Sequence, residues 1–174
     1  MFDEELLDLS GAVGQVLLPA GRMLASAESC TGGLVAGLVT AVAGSSAWFD
    51  RGFVTYTNEA KMAELGVQAA TLAAHGAVSE QTAGEMAAGA LRAAGVQVAV
   101  STTGIAGPGG ATPGKPVGMV CFGWAWATPG GVRVRTATHL LGGDRTAVRL
   151  RAVKIALRGV LDAHGAGAQA VPGE

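Results

Sequence analysis

Helical periodicities that alternate with short β-rich runs, and a late pair of β runs joined by a tight turn, predict an α/β fold. The expected form is a three-layer α/β/α sandwich with a mixed sheet that includes an antiparallel hairpin. Composition agrees, since 49% hydrophobic and 14% charged residues describe a chain that buries a core rather than a disordered one. Its 174 residues fit one domain, placed at 1–164, with the Gly/Ala-rich stretch 165–174 read as a flexible tail.

Leu6, Leu7, Leu9, Val13, Val16 and Leu17 recur at helical spacing until Pro19-Ala20-Gly21 breaks the pattern, which predicts an opening amphipathic helix. Met23 to Ala27 reads as a short buried strand. Leu34, Val35, Leu38, Val39 and Val42 have helical period and stop at Gly44, and the polar turn Glu28-Ser29-Cys30-Thr31-Gly32-Gly33 joins the two. Gly52 to Tyr56 predicts a second strand, followed by Asn58 as the N-cap of a helix from Glu59 to about Leu65. Ser79 is suited to cap a long helix that passes Leu91 and ends near Gly95. Val96 to Ser101 is a β-rich run leading into Thr102-Thr103-Gly104, after which a loop dense in glycine and proline extends to Pro116. Val117 to Ala127 and Val132 to Leu140, separated by Thr128-Pro129-Gly130-Gly131, predict the hairpin. From Asp144 onward, Val148, Val153, Leu157, Val160 and Leu161 predict a closing helix.

With 12 basic against 13 acidic residues, the chain has no electrostatic footprint for nucleic acid or for an acidic membrane surface. A small-molecule substrate is expected instead. Cys30 and Cys121 form no C-x-x-C pair, and His75, His139 and His164 are dispersed, so neither a metal site nor a cofactor is expected. The acidic start Met1-Phe2-Asp3-Glu4-Glu5 is unlike a signal peptide, and no run approaches the ~18 apolar residues of a spanning helix. The expected location is the reducing cytoplasm.

In open α/β sheets, function gathers at the carboxyl ends of strands, where Glu28–Gly33, Tyr56–Lys61 and Thr102–Pro116 are expected to lie. Ser29 followed by Thr31-Gly32-Gly33 offers a hydroxyl beside backbone N–H groups that can face an oxyanion. The layout resembles a nucleophile elbow, but Ala27 and Thr31 stand where G-x-S-x-G requires glycine, and a serine here could equally be a helix cap. Tyr56 is the only tyrosine, and Lys61 falls in the first turn of the next helix, where the macrodipole disfavours an ammonium. Such a lysine could hold Tyr56 as phenolate or itself serve as base. The alternative is a core tyrosine and a solvated lysine. Gly109 to Lys115 mimics a phosphate-binding loop, but Pro116 takes the place of the required hydroxyl residue. Arg145, after Gly142-Gly143-Asp144, could clamp a phosphate. Otherwise Arg145, Arg149, Arg151, Lys154 and Arg158 form the wet face of the last helix. Trp48, Trp124 and Trp126 fit a core or an interface, and exposure of Trp48 and Phe49 would suggest a homodimer or larger homo-oligomer.

The wording of the segments adds what spacing leaves open. Ala27-Glu28-Ser29-Cys30-Thr31-Gly32-Gly33, Ala43-Gly44-Ser45-Ser46-Ala47-Trp48-Phe49, Gly52-Phe53-Val54-Thr55-Tyr56-Thr57-Asn58-Glu59-Ala60-Lys61, Gly76-Ala77-Val78-Ser79-Glu80 and Gly104-Ile105-Ala106-Gly107-Pro108 stand in that order. Together with Lys115-Pro116-Val117-Gly118 and Gly143-Asp144-Arg145, they closely resemble the nicotinamide-nucleotide amidase family, also called the CinA carboxy-terminal domain family. The resemblance implies hydrolysis of the carboxamide of nicotinamide mononucleotide to nicotinic acid mononucleotide and ammonia, a step of pyridine-nucleotide salvage. It implies Ser29 as nucleophile with Tyr56 and Lys61 completing a metal-free site. Cys30, Thr31, Gly32 and Gly33 would form the oxyanion side, Thr102, Thr103 and Gly104 would line the site, and Arg145 would touch the phosphate. The longer members' amino-terminal domain, which resembles molybdopterin-binding proteins, has no counterpart in this sequence. The competing readings are a non-catalytic nucleotide-binding or interaction domain, linked by family names to competence and DNA damage, and an amidase for another small amide.

Overall fold

Three short apolar segments assemble the centre of the molecule because each is β-rich and apolar on both sides, which requires cover on both faces of the sheet. In the computed structural model, which describes residues 2–168 and the side chains up to residue 163, they are β1 (Leu24–Glu28), β3 (Val98–Gly104) and β4 (Met119–Thr128). The edges are β2 (Phe49–Val54) and β5 (Gly131–Leu140), and the sheet order is β2-β1-β3-β4-β5. β1 is parallel to β2 and β3, with Glu28 opposite Val54 and Thr102, while β3, β4 and β5 run antiparallel. The carboxyl ends of β1, β2 and β3 therefore meet at one margin of the sheet.

Alternation along the strands divides the core in two. Leu24, Val98, Val100, Val120, Phe122 and Trp124 pack with α1 (Glu4–Leu17), α2 (Leu34–Thr40) and α6 (Arg145–Ala168). On the other face, Ala25, Ala27, Ala99 and Ala125 pack with Met86, Ala87 and Ala90 of α5 (Glu80–Ala94) and with Leu65 of α3 (Asn58–Leu65). Small residues make this second layer thin. A Cβ on Gly123 would stand 2.4 Å from the Ala83 carbonyl oxygen, and one on Gly89 would stand 2.0 Å from that of Leu65. The contact at Gly89 seats the end of α3, one turn beyond Lys61, directly on α5.

The predicted three-layer architecture and hairpin are present, with differences in detail. The helix after β2 is capped by Thr57, whose Oγ1 accepts from Ala60 N at 3.1 Å, rather than by Asn58, which is its first residue. β2 begins three residues before Gly52, and Tyr56 lies beyond its end. α4 (Ala69–His75) was not expected, because none of its residues is buried and no apolar stripe marks it. α6 extends through Ala168, so residues 165–168 of the expected tail are helical, as good helix-forming alanines allow, and 169–174 lie outside the described residues. Trp48 and Phe49 are buried at 4% and 9%, which removes the apolar pair that exposure would have offered as an interface. None of the described helices is long and apolar enough to cross a membrane.

Two alanine substitutions separate close packing from helix propensity. Gly11→Ala, within α1 and with nothing within 4 Å of the new Cβ, should raise unfolding free energy by roughly 0.5–1 kcal/mol. Gly89→Ala should lower it by about 3 kcal/mol, the upper part of the overpacking range, because its obstruction is a main-chain carbonyl. Urea unfolding of both variants measures the difference.

Candidate active site

β1 ends in a carboxylate on the helix-α2 side of the sheet. Glu28 is completely buried, and its oxygens accept from Gly33 N (2.9 Å), Val35 N (3.0 Å), Ala36 N (2.9 Å), Thr31 Oγ1 (2.7 Å) and Ser26 Oγ (3.2 Å). Gly33, at φ +94°, has no side chain with which to cap the helix, and Glu28 satisfies the first N–H groups of α2 from behind. The turn between them is folded back on β3: Ser29 N donates to Thr102 O (2.9 Å), and the hydroxyls of Thr31 and Thr102 are 2.7 Å apart. Ser29 is thus fixed at the carboxyl margin of the sheet and is half-buried.

Lys61 comes to Ser29 from α3. Only 1% exposed, its Nζ lies 3.1 Å from Ser29 Oγ and donates to Thr55 O at 2.7 Å. Burial pushes the Lys61 ammonium below its usual range, opposed by interaction with the neighbouring Cys30. The expectation from the helix macrodipole has the same sign, but desolvation is the main cause. Charging Lys61 in the folded state is unfavourable, so stability should rise with pH from its lowered value up to the ordinary 10.5, where the unfolded chain binds the extra proton. Cys30 is pushed up to about 12, chiefly by burial, and so remains a thiol at neutral pH.

Tyr56 is 57% exposed, and its hydroxyl accepts from Arg145 Nη2 at 2.8 Å. Arg145 Nη1 also donates to Gly107 O at 2.8 Å, which ties the β3–β4 loop to the α6 end of the site. A Tyr56–Lys61 pair is not among the described hydrogen bonds, and Lys61 reaches Ser29 without it. The alternative of a core tyrosine and a solvated lysine is reversed, since Tyr56 is exposed and Lys61 is buried.

Of the glycine-turn amides, Gly32 N donates to Ser29 O (3.0 Å) and Gly33 N to Glu28, so these two are already occupied. Cys30 N–H and Thr31 N–H have no hydrogen-bond partner among the described residues. Thr102 supports the turn through its carbonyl and hydroxyl, whereas Thr103 projects to the opposite face and donates to Ala77 O at 2.8 Å. At Gly104 a side chain has no room, because a Cβ would lie 2.6 Å from Met119 O.

Two residues of this margin were not singled out from the sequence, Glu28 and Arg149. A carboxylate closing the apolar run Met23–Ala27, just ahead of a helix, was the available signal for the first. Arg149 Nε donates to Cys30 O (3.1 Å) and its Nη2 to Thr31 O (2.9 Å), so it is not part of a wet face. Its spacing of four from Arg145 puts both on one side of α6. Among the described residues no group of three or more His, Cys, Asp or Glu side chains is arranged to hold a metal ion.

A serine hydroxyl against a buried, easily deprotonated lysine, on a mixed α/β/α sheet, defines a candidate hydrolase site of the serine–lysine kind. The chain belongs to the CinA C-terminal domain family, whose model matches residues 7–164. It is 54% identical over 158 residues to the nicotinamide-nucleotide amidohydrolase PncC of Escherichia coli K12, covering 91% of this chain and 94% of that one. A CinA-like protein of Chloroherpeton thalassium is 53% identical over 139 residues, which are 80% of this chain and 33% of that longer protein. Among solved structures, the competence/damage inducible protein CihA from Agrobacterium tumefaciens superposes with a TM-score of 0.88 at 46% identity, covering 95% of this chain and 98% of that one.

Glu28→Gln should lower the unfolding free energy by about 3 kcal/mol, because one acceptor oxygen becomes an NH2 group facing donors it cannot serve. Chemical denaturation of the variant measures the loss.

Proposed function

We propose that the chain is a nicotinamide-nucleotide amidohydrolase. It would hydrolyse the carboxamide of nicotinamide mononucleotide to nicotinic acid mononucleotide and ammonia in pyridine-nucleotide salvage. Close relatives bear the name of this activity, and the contact of Lys61 Nζ with Ser29 Oγ at 3.1 Å carries the catalytic part of the reading.

In the reactive state Lys61 is a neutral amine, and the hydrogen bond to Ser29 reverses so that the hydroxyl donates to Nζ. Ser29 Oγ attacks the carboxamide carbon as its proton passes to Nζ. The negative charge on the former carbonyl oxygen is met by N–H donors of the turn, where those of Thr31 and Cys30 have no other partner among the described residues. Lys61 then returns the proton to the departing nitrogen, and ammonia leaves an ester on Ser29. Water, giving its proton to the same amine, attacks that ester, and the amine passes the proton on to Ser29 Oγ as the C–Oγ bond breaks and the acid is released, restoring both residues. Tyr56 and Arg145 stand at the exposed side, where the arginine fits the substrate phosphate and the tyrosine steadies it. No step in this sequence requires a metal or cofactor.

The two cysteines are free and buried, which suits a reducing cytoplasm, the location we assign. A homo-oligomer belongs to the same reading. Its candidate contact is the open edge of β5, where Val132, Val134 and Leu140 are exposed.

Ammonia release from nicotinamide mononucleotide in the presence of EDTA tests the activity. Ser29→Ala should lose about 10⁴-fold or more in kcat, with stability changed by less than about 1 kcal/mol. Wild-type turnover in Ser29→Ala would sink the nucleophile. Silence in the parent protein would shift the reading to another amide or to a binding role. Because the amine must be neutral, kcat should rise with pH through the lowered Lys61 value, placing this limb below the ordinary 10.5. Lys61→Arg should be inactive across the whole pH range, and a kcat–pH profile of both proteins decides.

A further inference from the structure

The turn that carries Ser29 is held from two sides by opposite charges. Glu28 collects N–H groups on its inner side, and Arg149 collects carbonyls on its outer side, through Nε to Cys30 O and Nη2 to Thr31 O. In a trans peptide the C=O and N–H of one plane point in opposite directions. Fixing Cys30 C=O on the guanidinium therefore fixes the direction of Thr31 N–H, which points away from Arg149. Fixing Thr31 C=O does the same for Gly32 N–H, which reaches Ser29 O at 3.0 Å. Among the amides from Ser29 to Gly33, those of Ser29, Gly32 and Gly33 are thus taken up, and Thr31 N–H and Cys30 N–H are left without a hydrogen-bond partner among the described residues.

The guanidinium also packs closely on the glycine that follows Thr31. Gly32 has φ +60°, and a Cβ there would stand 3.1 Å from Arg149 Nη2. Arg149 is half-buried, and its planar fork meets two successive carbonyls, which a point-charge ammonium cannot reproduce.

We propose that Arg149 is a positioning residue for the reaction: by binding the Cys30 and Thr31 carbonyls it orients Thr31 N–H as the principal donor to the oxyanion. The proposal rests on the serine–lysine reading given above. Arg149 touches neither Ser29 nor Lys61 through any described hydrogen bond, so its effect on rate passes through the peptide planes. Donors fixed in advance stabilise developing charge without reorganising, and loss of one such donor is worth about 10²–10³ in kcat.

The test uses the full chain, with nicotinamide mononucleotide and its thioamide analogue as substrates. Sulfur is a weaker and larger hydrogen-bond acceptor than oxygen, so an enzyme with a well-aimed donor prefers the amide, and one with a misdirected donor loses much of that preference. Arg149→Met should lower kcat for the amide on the order of 10²-fold, change KM by less than about threefold, and reduce the amide-to-thioamide ratio of kcat/KM. Arg149→Lys, which keeps the charge and stem, should show the same signature and supplies the answer if the methionine variant does not fold. A kcat within about threefold of the parent, a change confined to KM, or a lowered kcat with an unchanged amide-to-thioamide ratio would each overturn the proposal. Ser29→Ala assayed in parallel separates the two levels. If it is inactive while the Arg149 variants are normal, only the role of Arg149 falls. If Ser29→Ala turns over normally, the serine mechanism falls and this role with it.

Discussion

A carboxylate buried at the end of β1 is the constraint on which the margin of this sheet depends. Glu28 has no cation beside it in the described hydrogen bonds. Its charge is answered by main-chain N–H groups and two hydroxyls, which is how a buried anion is tolerated without an ion pair. Its backbone also takes part, since Glu28 O accepts from Thr55 N of the neighbouring chain segment at 2.8 Å. The ends of β1, β2 and β3, the start of α2 and the hydroxyls of Thr31 and Thr102 are consequently joined through one residue and its successor. Ser29 is the first position beyond it, so its place follows from Glu28.

The second charge at this margin is handled in the opposite way. Lys61 is as buried as Glu28, but its named partners are a carbonyl and a hydroxyl, neither of which stabilises an ammonium as a carboxylate would. The proton is therefore held weakly. A stronger counter-ion would make the fold more stable and would hold the proton on the amine more tightly, a conflict common at functional sites. The thin alanine- and glycine-rich layer contributes here as well. Close seating of Leu65 on Gly89 fixes the end of α3, and Lys61 lies one turn away on that helix. A feature that reads as packing on one face of the sheet thus sets the height of the Lys61 nitrogen at its edge.

The sequence made the layers, the hairpin and five of the six α-helices among the described residues legible, because apolar residues repeat with helical or strand period wherever an element buries a face. It missed α4, which buries none of its residues. It also made Ser29, Tyr56, Lys61 and Arg145 candidates, through their position after strands or at a helix start. It left the choice between cap and nucleophile, and between base and solvated lysine, to the likeness with a known family.

What the sequence by itself determined is the arrangement that local periodicity controls, together with the order of polar turns along the chain. Tertiary structure alone decided which of those turns touch. Burial of Lys61, its contact with a serine 32 residues away, the exposure of Tyr56 and the reach of Arg149 across 119 residues to Cys30 all arise from strand order β2-β1-β3 and from α6 folding back over the sheet. Desolvation and the direction of a peptide plane are properties of an environment, and no spacing along a chain contains them.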